Sequence, residues 1–256
     1  MRVTFASDQF AVLDDVLPAD QAVALWRYLQ AVPLNPINPG MPLSPWLPTD
    51  GKPLTSKTVA AWLDPQVSLP VSQQACYPTG TAIDLLLRLL LSDPSLLARW
   101  AGQPGQEWVA LTAAAWIYPV GTALSWHSDS ALYSGAYTYY AHPSWDPHWG
   151  GELMLADPGA QQFRELIVDP HSKQPILADD GLGRFDRSPL SQRVAEVGIG
   201  ACVVPKPNRL VLIAGGHPHR VARVDVAAGQ HVRASIAGFF LRKQALQTLG
   251  ARASHA

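Results

Sequence analysis

Charge is scarce in this chain. Asp, Glu, Lys and Arg together make up 15% of its 256 residues, against roughly 25% in an average globular domain. Apolar residues reach 48%, which is ample for a sizeable core and excludes a disordered chain. Neither sign dominates. The 19 basic and 20 acidic residues leave a net charge of −1, and no basic block offers the electrostatic footprint that a phosphate backbone needs. Nucleic acid is therefore not expected as a partner. Long apolar runs are missing too: Leu85 to Leu91 is interrupted by Arg88 and is far too short to span a bilayer. Met1 to Phe10 carries a single Arg and no signal-like apolar stretch. The expectation is a cytoplasmic protein with no membrane partner. With only Cys76 and Cys202, the chain cannot build the disulfide framework of a small secreted domain, and free thiols are expected.

Proline is what the chain has in excess, 23 residues, and it points to many turns and long shaped loops. The length exceeds the common domain size, but barrels and sandwiches run this long as single units. One domain is expected: a helical, loop-rich part over 1–106, a β core over 107–243 with an insertion at 157–200, and a tail over 244–256. Phe10 to Leu17 reads as a short strand or extended entry. A helix follows near Pro18, with Leu25, Trp26, Tyr28 and Leu29 as its apolar stripe. From Pro33 to Pro53 the repeated prolines predict a long loop without regular structure. Ala82 to Leu91 and Pro94 to Trp100 read as helices, with Ser92 or Asp93 suited to cap the second.

After Gln106 the pattern changes to short segments rich in β-branched and aromatic residues, separated by Pro and Gly. Strands are predicted at Trp108 to Tyr118, Ala136 to Ala141, Glu152 to Ala156, Ala201 to Pro205, Arg209 to Ala214, His219 to Val226 and Val232 to Leu241. Such spacing predicts a mainly β fold, an antiparallel sandwich or barrel with the preceding helices packed on one sheet. The insertion, broken by Pro158, Asp169-Pro170, Gly181-Leu182-Gly183 and Ser188-Pro189, has the character of a lid or binding loop.

The chemistry lies in that second part. His127 and Asp129 are two residues apart, so on an extended segment both side chains leave the same face. An imidazole and a carboxylate can then approach one metal ion. Two imidazoles and one carboxylate on one face, with the opposite positions open, is the arrangement of non-haem Fe(II) oxygenases. His217 and His219 are the candidates for the third ligand, with Arg233 downstream.

Taken in order, Tyr118-Pro119-Val120-Gly121, His127-Ser128-Asp129, Trp149-Gly150-Gly151-Glu152-Leu153, Asn208-Arg209-Leu210-Val211, Pro218-His219-Arg220-Val221 and Arg233-Ala234-Ser235-Ile236 resemble the prolyl-hydroxylase-type 2-oxoglutarate and Fe(II)-dependent oxygenases. The resemblance covers roughly Ala114 to Leu241. It implies a double-stranded β-helix, or jelly-roll, core. It also implies Fe(II) held by His127, Asp129 and His219, since the family's His-x-Val fits at His219 and not at His217. Arg233 would pair with the distal carboxylate of 2-oxoglutarate through its planar fork. Tyr140, or Tyr139 if the register differs by one, would place a phenol against the same carboxylate, and Tyr118 would line the cosubstrate pocket. O2 is the second cosubstrate, and ascorbate is admitted as an accessory. Asp129 disfavours halogenation, because halogenating relatives lack that carboxylate.

The chain departs from its relatives at His142, where many carry asparagine, and in the long separation of His127 from His219. Both changes fall where substrate would be held. Trp116, Trp126, Tyr133, Trp145 and Trp149 are the candidate pocket walls. The expected reaction is hydroxylation of a small molecule such as an amino acid or a peptide-like natural product. Hydroxylation of a protein side chain is the alternative. Outside the class stand a Zn-dependent hydrolase, which would leave Arg233 without a task, and a non-catalytic ligand-binding sandwich. The sequence leaves the oligomeric state open.

Overall fold

The computed structural model describes residues 1–37, 46–64, 75–129, 132–162, 166–168, 175–177 and 188–243. The chain opens with β1 (Arg2–Ala6) and β2 (Phe10–Asp14), then α1 (Ala19–Ala31). Four short strands follow, β3 (Asn35–Pro36), β4 (Leu54–Thr55), β5 (Val59–Trp62) and β6 (Ala75–Cys76), and then α2 (Ile83–Ser92) and α3 (Pro94–Ala101). The second part contains β7 (Ala110–Tyr118), β8 (Leu124–His127), β9 (Tyr133–Tyr140), β10 (Leu153–Ala156), β11 (Leu166–Val168), β12 (Pro175–Leu177), α4 (Ser188–Val197), β13 (Ile199–Val203), β14 (Arg209–Ala214), β15 (His219–Val221) and β16 (Arg233–Leu241).

Among the described residues the larger sheet runs β1-β2-β14-β9-β16-β7-β4-β3, with β5 also on β7 and β6 on β5; the smaller runs β13-β10-β15-β8. From β7 to β10 the chain alternates between the two sheets, and it crosses again at each step from β13 to β16. That winding is the jelly-roll core. Helices cover the outer face of the larger sheet. Leu25 and Leu29 of α1, Ile83, Leu86, Leu87 and Leu90 of α2 and Leu97 of α3 meet Leu111, Tyr137, Tyr139, Leu212 and Phe240 in one core. Those leucines follow the helical period, and each buried one contributes roughly 1.5–3 kcal/mol. Asp93 caps α3 by accepting from Leu96 N at 3.1 Å, ahead of Pro94 in the first turn. On the inner face, Val12, Ala136, Tyr140, Val211 and Ile213 pack against Leu153, Leu155 and Val203 of the smaller sheet. No helix among the described residues is long and apolar enough to cross a membrane.

Several expectations shift for identifiable reasons. Residues 1–106 carry strands as well as helices. Asn35–Pro36 pairs with β4 at the edge of the sheet, where a proline's missing N–H is tolerated, so the proline-rich stretch is not wholly irregular. β9 begins at Tyr133, ahead of the expected Ala136, because Gly135 belongs to the strand. A Cβ there would lie 2.9 Å from the Trp100 carbonyl, so glycine is what lets α3 sit so close. β15 stops at Val221, and Asp225 caps a short 3-10 turn over Val226–Ala228. β13 starts two residues before the expected strand. The tail over 244–256 and much of the insertion lie outside the described residues; of the insertion, α4 packs Leu190, Val194 and Val197 against Ala156, Ala160 and Trp126.

One buried ion pair fastens the entry of the chain to the core. Asp14, at the end of β2, accepts from Arg209 Nε at 2.7 Å and from Lys206 Nζ at 2.8 Å. The Arg209 hydrogen bond in particular holds its carboxyl down at about 2, against the penalty of burial. A depressed carboxyl stabilises the fold above its unfolded value of about 3.9, and that contribution disappears as pH falls through the folded value. Asp14→Asn should lower stability by about 1–3 kcal/mol near neutrality. The gap between wild type and variant, followed by urea unfolding, should narrow as pH falls from about 4 toward 2.

Candidate metal centre

β8 and β15 are antiparallel neighbours in the smaller sheet, and their register sets His127 directly opposite His219. The ring centroids are 4.3 Å apart. Leu124 to His127 holds one more residue than Val221 to His219 opposite, so the pair contains a bulge. Bulges re-aim side chains: Leu124 and His127 both line the cavity between the sheets, while Trp126 packs under α4. Asp129 follows just past the end of β8.

Each imidazole is held by its own backbone. His127 Nδ1 donates to the Ser125 carbonyl at 2.8 Å, and His219 Nδ1 to the His217 carbonyl at 2.9 Å. A carbonyl can only accept, so each ring in its neutral form carries its proton on Nδ1 and presents an unprotonated Nε2. The Asp129 carboxylate lies between them, Oδ1 at 3.8 Å from His127 Nε2 and Oδ2 at 3.8 Å from His219 Nε2. These separations exceed hydrogen-bonding range, and one ligand atom from each residue lies within 4.8 Å of the others. Two imidazole lone pairs and a carboxylate at this spacing suit a divalent transition metal, and the carbonyls behind the histidines supply the orienting contacts such ligands need.

A second charged group shares the cavity. Arg233 opens β16, 2% exposed, opposite Tyr118 at the end of β7. Ser235, two residues on, pairs with Tyr140 of β9. The guanidinium carbon stands 5.0 Å from the Tyr118 ring centroid and 4.9 Å from that of Tyr140. Nε donates to the Gly151 carbonyl at 2.8 Å, and NH2 lies 3.4 Å from the Tyr140 hydroxyl. Among the described residues no carboxylate lies within ion-pairing distance of it. Burial keeps both phenols protonated, raising each above its usual range although the Arg233 charge pulls the other way. Gly151 is required where it stands: its φ is +72°, and a Cβ would come within 2.9 Å of Arg233 Cδ.

The family model for the 2OG-Fe(II) oxygenase superfamily matches residues 113–241. The chain belongs to this superfamily. The oxygenase is also similar to solved structures. A Pseudomonas putida prolyl-4-hydroxylase is 19% identical at a TM-score of 0.52, with 92% of this chain and 93% of that one covered. The non-haem α-ketoglutarate-dependent epimerase SnoN of nogalamycin biosynthesis is 14% identical at 0.50, with 92% and 79% covered. At these identities the likeness is one of fold. No curated protein sequence matches the chain. Membership brings Fe(II) and 2-oxoglutarate, and the His/Asp/His set fits the metal.

The remaining candidates of the oxygenase distribute unevenly. Tyr139 points to the helix layer, its hydroxyl donating to Asn208 Oδ1 at 3.0 Å, while Tyr140 faces Arg233, as strand alternation requires. His217 is buried outside the ligand group, lowered to about 4 by burial and then by His219. His142 is buried beside Ala234 and pushed down to about 3 by burial and the Arg233 charge, so it is neutral. Of the five expected walls, Trp116 lines the cavity. Trp126 is turned away by the bulge, Tyr133 stacks on Phe239, and Trp145 and Trp149 form a separate aromatic row ending on His231.

Trp46 and Ser235 are among the cavity residues that went unnoticed in the sequence. Trp46, stacked on Trp116 at 5.6 Å, comes from the proline-rich stretch, where a lone large aromatic among prolines was the available signal. Ser235 shares the inward face with Arg233 by period two. Because no acid among the described residues compensates the Arg233 charge, Arg233→Met should leave the ligand-free protein within about 1 kcal/mol of wild type or above it. Urea unfolding of both apoproteins tests this; a loss of several kcal/mol would reveal an acid partner.

Proposed function

We propose that the chain is a hydroxylase in which His127, Asp129 and His219 hold Fe(II), and Arg233, with Tyr140 and Tyr118, holds the distal carboxylate of 2-oxoglutarate. The observation that carries this reading is the buried Arg233 guanidinium, in the same cavity as the three ligands and without an acid among the described residues. A buried cation lacking a partner is costly, and a dicarboxylate supplies one. The charges then balance: one carboxylate, a divalent metal, one guanidinium and a dianion sum to zero. Fe(II) held by His127, Asp129 and His219 would supply oxidative decarboxylation of 2-oxoglutarate by O2, to succinate and CO2, coupled to oxidation of a substrate C–H bond.

The chain's own residues supply orientation and dryness. The two Nδ1 hydrogen bonds keep Nε2 of each histidine available and its ring fixed. The phenols stay neutral, so they donate to a carboxylate and do not repel it. Val221, Leu153, Ile213, Ala237 and Phe239 line the cavity and keep water away.

The substrate we infer is a small molecule such as an amino acid or peptide-like natural product, since a cavity walled by Trp46, Trp116 and aliphatic side chains suits an enclosed ligand. The likeness to a prolyl-4-hydroxylase keeps a protein or peptide side chain as the second reading. The lid expected of the insertion falls in large part outside the described residues; within them, α4 packs beside Trp126 on the strand of His127 and does not line the cavity. Anaerobic addition of Fe(II) and 2-oxoglutarate should produce a weak visible charge-transfer band that Arg233→Ala weakens and His219→Ala abolishes. Zn-dependent hydrolysis with no such band would contradict the assignment. Succinate release over a panel of free amino acids and short peptides identifies the substrate class; stimulation by protein alone would favour the second reading.

A further inference from the structure

Asp50 is an acidic side chain that the proposed chemistry does not use, and it is 2% exposed. No basic residue among the described residues pairs with it, and its carboxylate is taken up by hydrogen bonds to two places at once. Oδ2 accepts from Leu47 N at 2.8 Å and from Ser125 N at 3.2 Å, and Oδ1 accepts from Ser125 Oγ at 2.7 Å. Its own carbonyl accepts from Ala123 N at 2.8 Å. The segment Trp46 to Asp50 is thereby tied to the start of β8. Gly51 permits the approach: its φ is +82°, and a Cβ there would lie 2.9 Å from the Gly121 carbonyl. Arg223 adds a strap by donating to the carbonyls of Thr49 and Gly121.

Both ends of this connection reach the cavity. Ser125, gripped by Asp50 through its N–H and hydroxyl, is the residue whose carbonyl accepts from His127 Nδ1. Leu47, gripped through its N–H, adjoins Trp46, which stacks on Trp116 and leans on Tyr118 at 5.5 Å. Tyr118 in turn packs on Arg233. We propose that Asp50 is a positioning residue: it fixes the His127 ring through Ser125 and the Trp46 ring through Leu47, so that one buried carboxylate sets both the metal site and the aromatic wall of the cavity. The proposal rests on His127 being a metal ligand.

The hydrogen bonds separate this role from a role of charge. In Asp50→Asn the amide oxygen can accept from the two N–H groups, while its NH2 donates to Ser125 Oγ, which accepts as readily as it donates. The connection survives without the charge. In Asp50→Ala both N–H groups lose their acceptor, and Ser125 and Leu47 are released.

The test is binding of Co(II) alone to the full-length apoprotein, without O2 or 2-oxoglutarate, read by affinity and by the ligand-field spectrum, with urea unfolding of each apoprotein alongside. Orienting contacts behind a metal ligand are worth about 10–100-fold in affinity, so Asp50→Ala should bind Co(II) about tenfold or more weakly, with an altered spectrum. Asp50→Asn should stay within about threefold of wild type and keep its spectrum. Unchanged affinity and spectrum in Asp50→Ala, with a lower urea midpoint, would make Asp50 a strut of the fold and overturn the proposal. If Asp50→Ala does not fold, Ser125→Ala carries the test: weaker Co(II) binding supports the proposal and unchanged binding overturns it. His127→Ala is the control. If wild-type binding is not lost in that variant, the ligand assignment itself fails and takes the proposal with it.

Discussion

The pairing of β8 with β15 is the contact on which the site depends. It is a short antiparallel ladder carrying one bulge, yet it brings together two histidines separated by 92 positions, 219 − 127. The bulge is what allows Leu124 and His127 to face inward together. Without the extra residue, strict alternation would turn one of them outward. Around this ladder the rest of the molecule acts as support: β10 and β13 extend the smaller sheet, α4 covers the outer side of Trp126, and the Trp46 to Asp50 segment grips Ser125.

Across the cavity, the larger sheet holds the opposite charge. Three adjacent strands, β7, β16 and β9, contribute Tyr118, Arg233 and Tyr140 as a row across the inner face. Carboxylate and imidazoles thus come from one sheet and the guanidinium from the other. The jelly-roll winding keeps the two sheets face to face, so the His127, Asp129 and His219 group and the Arg233 guanidinium are held across the cavity by the same core that stabilises the fold. The Gly151 carbonyl and the two phenol rings hold the guanidinium in place on the larger sheet.

Much of this was legible in the chain. Period-two alternation placed His127 and Asp129 together and separated Tyr140 from Tyr139, because each of those arguments concerns residues close together in the chain. The order of the motifs carried the family. What was not legible depends on tertiary contacts. The inward turn of His127 at the expense of Trp126 requires the bulge, which no local pattern announces. Trp46 and Asp50 come from a stretch whose prolines suppress any periodic signal, and their place at the site is set by hydrogen bonds to Ser125 and by Gly51. The strand expected from Ala136 left out Gly135, which belongs to β9 and lets a helix approach closely. α4 was hidden in the insertion, where Ser188-Pro189 read as a break in the pattern although a proline is at home in a helix's first turn.

The central claim is that one cavity joins a three-residue metal site to a guanidinium reserved for a distal carboxylate. Calorimetric titration of 2-oxoglutarate and of 2-oxobutyrate, which lacks that carboxylate, into metal-loaded wild type and Arg233→Met tests it most directly. Wild type should prefer the dicarboxylate by roughly 2–5 kcal/mol, and the variant should lose most of that preference while binding 2-oxobutyrate as wild type does. A preference that survives intact in Arg233→Met would contradict the account.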